Sequence, residues 1–328
     1  ALYRGELGAS LVDHSDQLGG LFSPEDLADY QVIWKQPLTA DYRGYTLATQ
    51  PPPSQGLALL MQARMLAQVD IGSLQPGSAE LVHRMVEAKK LVFAERDKCI
   101  CDPAFHEIPL DYLLSSEKSR ELADRIDTRA APLTCRYRFA WGGEDTVYMT
   151  AVDERGNAAV LIQSLFQEFG SCVMVPGTGI FLHNRGRGFS MNPNHPCRLE
   201  PRKRPYHTLQ PLMVLDGDQP FLLLGTPGAD GQTQTNMQVL VNLIDYGVDV
   251  QSAVDAPRWR SMPGGELLLE NRFPLQTVDY LAKQGHHIEQ LTEFSPFMGS
   301  AQAIKIDREQ QLLTGGADGR RMACGLGI

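Results

Sequence analysis

Apolar residues recur at helical spacing through the first third of the chain, and at strand spacing over much of the remainder. Residues 1 to about 135 read mainly as helices. Leu2, Leu7, Leu11 and Leu18 mark a first helix that stops at Gly19-Gly20. Ser23-Pro24-Glu25-Asp26 is a helix start: a capping hydroxyl, proline at the first helical position, then acids in the first turn. A short hairpin over 38–48 turns at Tyr42-Arg43-Gly44, and Pro51-Pro52-Pro53 is a rigid break. Helices are predicted over 55–68, 79–98 and 115–126, the second with Leu81, Met85, Ala88 and Val92 on one face. After Ala131-Pro132 strands dominate, near 146–153, 158–165, 179–183, 211–215 and 221–225. A glycine turn at 225–231 feeds a helix over 233–246. A helix at 251–256, a strand at 266–270, a helix at 274–284 and strands at 301–306 and 311–315 complete the pattern. Helices, then strands, then both predict a layered α+β fold. No internal repeat or low-complexity tract interrupts it.

One predicted hairpin carries chemistry. Glu154-Arg155-Gly156 forms a three-residue loop, with glycine where a left-handed conformation is wanted. Pairing Asp153 with Asn157 across that loop sets the register. Counting back, Thr146 falls directly opposite Ser164, with Asp145 just before it. A threonine at a strand start is usually only a good β-former. Two facing hydroxyls beside an acid are also how a self-cleaving precursor would be built.

Composition narrows the partners. The 328 residues are 43% hydrophobic and 21% charged, which suits one large globular domain or two. A net charge of −9 argues against nucleic acid and anionic membrane, both of which need clustered positive charge. The one basic run, Arg202-Lys203-Arg204, reads as a local structural or substrate-facing feature. Cys99, Cys101, Cys135, Cys172, Cys197 and Cys324 are irregularly spaced, and mostly reduced, buried thiols are the expectation. No apolar run reaches transmembrane length. The chain begins Ala1-Leu2-Tyr3 without Met, so the compartment stays open, with the cytoplasm as the working expectation. His286-His287 would need further ligands to hold a metal; none is evident in the sequence, so both read as loop histidines and no metal or cofactor is expected. The glycine turn lacks Gly-Lys-Ser/Thr, which sets aside a phosphate-binding P-loop.

Short motifs along essentially the whole chain resemble the γ-glutamyltranspeptidases, which are N-terminal-nucleophile hydrolases. They include Leu2-Tyr3-Arg4-Gly5, Asp41-Tyr42-Arg43-Gly44-Tyr45, Pro51-Pro52-Pro53-Ser54-Gln55-Gly56 and 90–96 (KLVFAER). Phe169-Gly170, 176–180 (PGTGI), Lys203-Arg204-Pro205, Gly225-Thr226-Pro227-Gly228, Asp245-Tyr246-Gly247 and Ala256-Pro257-Arg258 continue the match, and 318–321 resembles a family structural turn. The resemblance implies a four-layer αββα sandwich and a precursor that cuts itself at Asp145–Thr146. Residues 1–145 would be the C-terminal part of a mainly helical large subunit, and 146–328 the small catalytic subunit. The family's preceding segment has no match in 1–145, so a large-subunit remainder is an expected partner, and exposed sheet edges are expected without it. Pairing of two processed heterodimers is an assembly the resemblance allows. Thr146 would be nucleophile and, through its freed α-amine, its own base, because an alcohol is a weak nucleophile and an α-amine titrates near neutrality. Ser164 matches a second family threonine, and backbone N–H groups at Gly228 and Ala229 match the oxyanion hole, with alanine where the family usually has glycine.

The pocket departs from the family's γ-glutamyl grip. Phe166 stands for an Asn, Arg185 for a Gln, Gly188 for an Asp, and His207-Thr208 for two serines. Losing the acid removes a partner for an ammonium, and gaining Arg185 adds a fork for a carboxylate. This set is similar to the acylase-like branch, with glutaryl-cephalosporin acylase-type enzymes and oxamate amidohydrolase. The expected substrate is a small carboxylate-bearing amide, oxamate-like or glutaryl-like. Two alternatives stand beside it: a γ-glutamyl hydrolase or transferase acting on glutathione-like compounds, and a processing-incompetent homologue that binds a small molecule or partner.

Overall fold

A computed structural model of the chain describes residues 2–131 and 144–328. The helical first part begins with α1 (Glu6–Gln17) and α2 (Pro24–Ala28). Helix α2 starts as its sequence dictates, with Ser23 and Asp26 bonding each other's backbone N–H groups in a capping box. The hairpin β1 (Leu38–Tyr42) and β2 (Tyr45–Thr49) turns on Arg43 and Gly44, both at positive φ. Helices α3 (Gly56–Ala67), α4 (Ala79–Cys99), α5 (Leu110–Leu113) and α6 (Ser116–Ala123) follow, so the third predicted helix stops short of Ile126. Helix α3 is mostly apolar and buried on nearly every side, as a helix inside a layered core must be.

Strands β3 (Glu144–Val152) and β4 (Ala158–Gln167) form the chemistry-bearing hairpin. The predicted strand at 179–183 shrinks to β6 (Ile180–Phe181), paired with β5 (Met174–Val175). Then come β7 (Leu212–Asp216), β8 (Gln219–Gly225), α7 (Gly231–Ile244) and α8 (Val250–Asp255). Strands β9 (Trp259–Ser261), β10 (Glu266–Glu270) and β11 (His287–Leu291) form a three-stranded sheet, with α9 (Leu275–Lys283) between the last two. Strands β12 (Gln302–Asp307) and β13 (Leu312–Ala317) close the chain. No described helix is long and apolar enough to cross a membrane.

The central sheet is antiparallel throughout, in the order β1-β2-β7-β8-β12-β13. Helices α3, α7 and α8 pack on one face, and the β3–β4 hairpin packs against β8 and β12 on the other. Helix, sheet, sheet is three layers of the expected sandwich. On the hairpin's outer face Val147, Met149 and Leu161 are about half exposed, whereas Tyr148, on the inner face, is buried. A Cβ on Gly225 would sit 2.1 Å from the Tyr148 ring, so glycine is what lets the two sheets meet beside the catalytic candidates. Gly225→Ala is expected to destabilise the fold by about 1–3 kcal/mol through overpacking, read as a lower urea midpoint.

Side chains at the back of the core answer other sequence expectations. The 318–321 turn is structural: Asp318 pairs with Arg258 at 2.6 Å, and Arg320 pairs with Glu270 at 2.6 Å, all buried. Two residues of the basic run are also structural, with Lys203 on Glu200 and the Pro196 carbonyl, and Arg204 forked onto Asp102, while Arg202 is exposed. Burial raises the Asp102 carboxyl, but hydrogen bonds from Arg204 outweigh it and hold the group down at about 2. The cysteines depart from uniform burial: Cys101 and Cys197 are buried, but Cys172 and Cys324 are exposed. Cys135 lies outside the described residues.

Candidate active site

The hairpin keeps the register that its loop predicts. Asp153 N–H donates to the Asn157 carbonyl at 3.0 Å, and Gly156 has φ +79. Thr146 lies opposite Ser164, and its hydroxyl donates to Ser164 Oγ at 2.8 Å. Ser164 Oγ also accepts from the Phe166 N–H at 2.8 Å. A feature the sequence did not announce lies at the Asp145–Thr146 bond. The register slips there, with Asp145 opposite Phe166, so that Leu165 is an extra residue and the strand bulges. Phe166 sits at φ +81, rare for an aromatic residue. The bulge therefore concentrates backbone irregularity at the bond the resemblance marks for cleavage. The Asp145 side chain lies outside the described residues.

Thr146 and Tyr148 share a strand face by the two-residue period, and Tyr148 packs on Gly225. The glycine turn begins at Gly225 and brings Gly228 and Ala229 to the start of α7. Ala229 has φ +45, a left-handed conformation that costs a non-glycine residue about 1 kcal/mol. Its neighbours hold it there. The Gly228 carbonyl accepts from Arg260 at 3.0 Å and from Gly231 N–H at 2.7 Å, and the Ala229 carbonyl accepts from Gln55 at 2.9 Å. With both carbonyls tied back, neither N–H donates to another described residue. Two free, fixed donors are what an oxyanion requires.

Gln55 joins the turn to the pocket wall, because its Nε2 also donates to the Thr208 carbonyl at 2.9 Å. Behind it, Arg96 pairs with Asp230 at 2.8 Å, and the Tyr206 hydroxyl donates to the same carboxylate at 2.9 Å. Burial would raise Asp230, but Arg96 and then Lys89 keep it lowered, so it stays an anion under the turn. Gln55 and Arg96 lie within recognised motifs and Asp230 within the glycine turn, but nothing in the sequence gave them this role.

Arg185 is 8% exposed. Its Nη1 donates to Thr208 Oγ1 at 3.2 Å and its guanidinium stacks 4.3 Å from the Phe166 ring centre. No carboxylate pairs with it among the described residues, and Nη2 is buried without a partner. Burial pushes this guanidinium down to about 10, which still leaves it charged at neutrality. His207 Nδ1 is likewise buried and unpartnered, and burial, then Arg185 and Arg204, push the ring down to about 3. The neutral imidazole and the bare guanidinium edge are unsatisfied, which a buried site tolerates when a ligand completes it. At Gly188 a Cβ would meet the Tyr206 carbonyl at 2.3 Å, so the acid that the family carries there has no room here.

Thus the structure brings Thr146, Ser164, Phe166, Arg185 and Thr208 into one chain of contacts, and Gln55 links that chain to Ala229. His286 and His287 depart from the loop reading. His287 opens β11, and His286 is buried against His83 and Glu87.

The sequence profile of the gamma-glutamyltranspeptidase family matches residues 1–327. The chain is 40% identical to the glutathione hydrolase-like YwrD proenzyme of Bacillus subtilis, over 100% of this chain and 62% of that protein. It is 36% identical to the oxamate amidohydrolase proenzyme of Klebsiella pneumoniae, over 98% of this chain and 60% of that one. Its fold matches the crystal structure of cephalosporin acylase from Bacillus halodurans with a TM-score of 0.90 at 34% identity, covering 98% of this chain and 58% of the acylase. The chain therefore spans about three-fifths of these relatives, and its described layers are those of an N-terminal-nucleophile hydrolase.

Proposed function

This chain belongs to the γ-glutamyltranspeptidase family, and from that membership we propose that it is the catalytic portion of a self-processing amidohydrolase for small, carboxylate-bearing amides. Thr146 Oγ1 attacks the Asp145 carbonyl carbon, the acyl group shifts from nitrogen to oxygen, and water hydrolyses the ester. That step frees the α-carboxylate of Asp145 and the Thr146 α-amine, and separates the segment ending at Asp145 from the segment beginning at Thr146. In turnover the α-amine takes the Oγ1 proton and Oγ1 attacks the substrate carbonyl. The developing oxyanion is held by the Gly228 and Ala229 N–H groups, each worth on the order of 3 kcal/mol. The leaving amine takes the proton, and water then releases the acid. Ser164 orients the Thr146 hydroxyl.

The observation that carries the substrate class is Arg185, a buried guanidinium with an unpartnered Nη2 and, among the described residues, no acid paired with it. A substrate carboxylate supplies that missing partner as a charge-assisted fork. Phe166 would flank the acyl group, and His207 and Thr208 would line its far side. The closed space at Gly188 argues against an ammonium-bearing γ-glutamyl group. Among the relatives, the oxamate amidohydrolase and the cephalosporin acylase fit this reading; the glutathione hydrolase-like protein favours a γ-glutamyl donor. Turnover by the full-length gene product on oxamate, a glutaryl amide and a γ-glutamyl anilide separates them. Release from either of the first two and little from the third is expected; the reverse ranking overturns the substrate assignment.

A further inference from the structure

We propose that His83, Glu87 and His286 form a binding site for one divalent transition metal of the zinc class, separate from the Thr146 chemistry and independent of the hydrolase reading. All three residues are buried, and their ligand atoms lie within 4.8 Å of one another. His83 and Glu87 stand one turn apart on α4, which puts both on one helix face, and His286 comes from the residue before β11. Along α4, Glu87 is about 14 Å and His83 about 20 Å from Arg96, which supports the glycine turn.

The hydrogen bonds around the cluster orient it as metal sites are oriented. His83 Nε2 lies 2.7 Å from the Asp127 carbonyl, which can only accept, so the proton is on Nε2 and the Nδ1 lone pair faces inward. A ligating histidine tied by its other nitrogen to a backbone carbonyl is the usual outer-shell arrangement. Glu87 is held in the same way, with Oε2 accepting from Ala131 N–H at 3.0 Å. His286 Nε2 lies 2.8 Å from His83 Nδ1, so it donates there in the ion-free state. Metal entry moves that proton to His286 Nδ1, so no net proton leaves, and spreads the two nitrogens by roughly 0.5 Å to reach tetrahedral spacing. His83, His286 and Glu87 supply two neutral nitrogens and a carboxylate, a set that suits zinc, with solvent as the fourth ligand.

Among the described residues Lys90 is the one cation bonded to the cluster, to Glu87 Oε1 at 2.7 Å, and it also donates to the Ala131 carbonyl at 3.1 Å. Each carboxylate oxygen has a second lone pair, so ammonium and metal can share Glu87, but their repulsion weakens the metal. This predicts opposite effects from neighbouring substitutions. The test uses the full-length gene product, stripped with chelator and titrated with Zn2+ by calorimetry and with Co2+ by absorption. One ion per chain is expected, with no thiolate-to-cobalt band. His286→Gln should weaken binding at least tenfold, and Lys90→Gln should tighten it by on the order of threefold. Circular dichroism of each variant in chelator reports whether it folds; if His286→Gln does not, Lys90→Gln decides. No binding by the unaltered protein, an ion held equally by His286→Gln, unchanged affinity in Lys90→Gln, or a thiolate band would each overturn the proposal.

Discussion

Thr146→Ala should yield a chain that folds, stays in one piece and turns over amides at least on the order of 10⁴-fold more slowly than the unaltered protein. Strand β3 survives, because alanine fits the strand and, among the described residues, the hydroxyl makes only one hydrogen bond, to Ser164 at 2.8 Å. Its loss from stability is therefore about 1 kcal/mol, while its loss from chemistry is total. Thr146→Ser keeps the oxygen and should process and turn over at a reduced rate. Ser164→Ala leaves the nucleophile but not its orientation, and a slowing of roughly tenfold follows from one lost hydrogen bond. Intact mass and turnover, measured on all three, check the ordering. Turnover by Thr146→Ala equal to that of the unaltered protein would remove Thr146 from the mechanism.

Arg185→Met should move activity and stability in opposite directions. The guanidinium is buried, stacked on Phe166 and without a carboxylate among the described residues, so it burdens the folded state. Methionine fills much of the same volume with no charge to desolvate, and the melting temperature is expected to hold or rise. Turnover of carboxylate-bearing amides should fall by about 10- to 150-fold in kcat/KM, mostly through KM, the cost of losing a charged hydrogen bond of about 1.5–3 kcal/mol. Uncharged amides of the same size should lose little. Arg185→Lys keeps the charge but not the planar fork or the stacking, and should rescue only in part. A drop in melting temperature with no change in KM would make Arg185 a structural ion instead.

The sequence was most informative where one short-range constraint set a long-range one. The loop Glu154-Arg155-Gly156 determined the whole β3–β4 register, so Thr146 could be placed opposite Ser164 by counting. The bulge at Leu165 could not be counted, because it arises where the hairpin meets the glycine turn and the pocket wall. Helices with a buried face and a capped start were placed to within a few residues. Strand β11 was missed because His287-Ile288-Glu289-Gln290-Leu291 is mostly polar and exposed, a weak apolar signal at a sheet edge. Strand β9 is only three residues long, too short for any period. Pocket residues were recognised from motif positions, but their state was not: that Arg185 lacks a paired acid among the described residues, and that Gly188 has no space for one, are facts of packing. The same holds for His83 and His286, separated by 203 positions and joined only by the fold.

The central claim is that Thr146 is released as a new N-terminus and does the chemistry. The most direct test is the mass and N-terminal sequence of the fragments formed when the full-length gene product is purified and incubated. Two fragments, the smaller beginning at Thr146 and ending at the chain's C-terminus, are predicted. One unbroken chain, or a cut at any other bond, would contradict the account and favour a homologue that binds without processing.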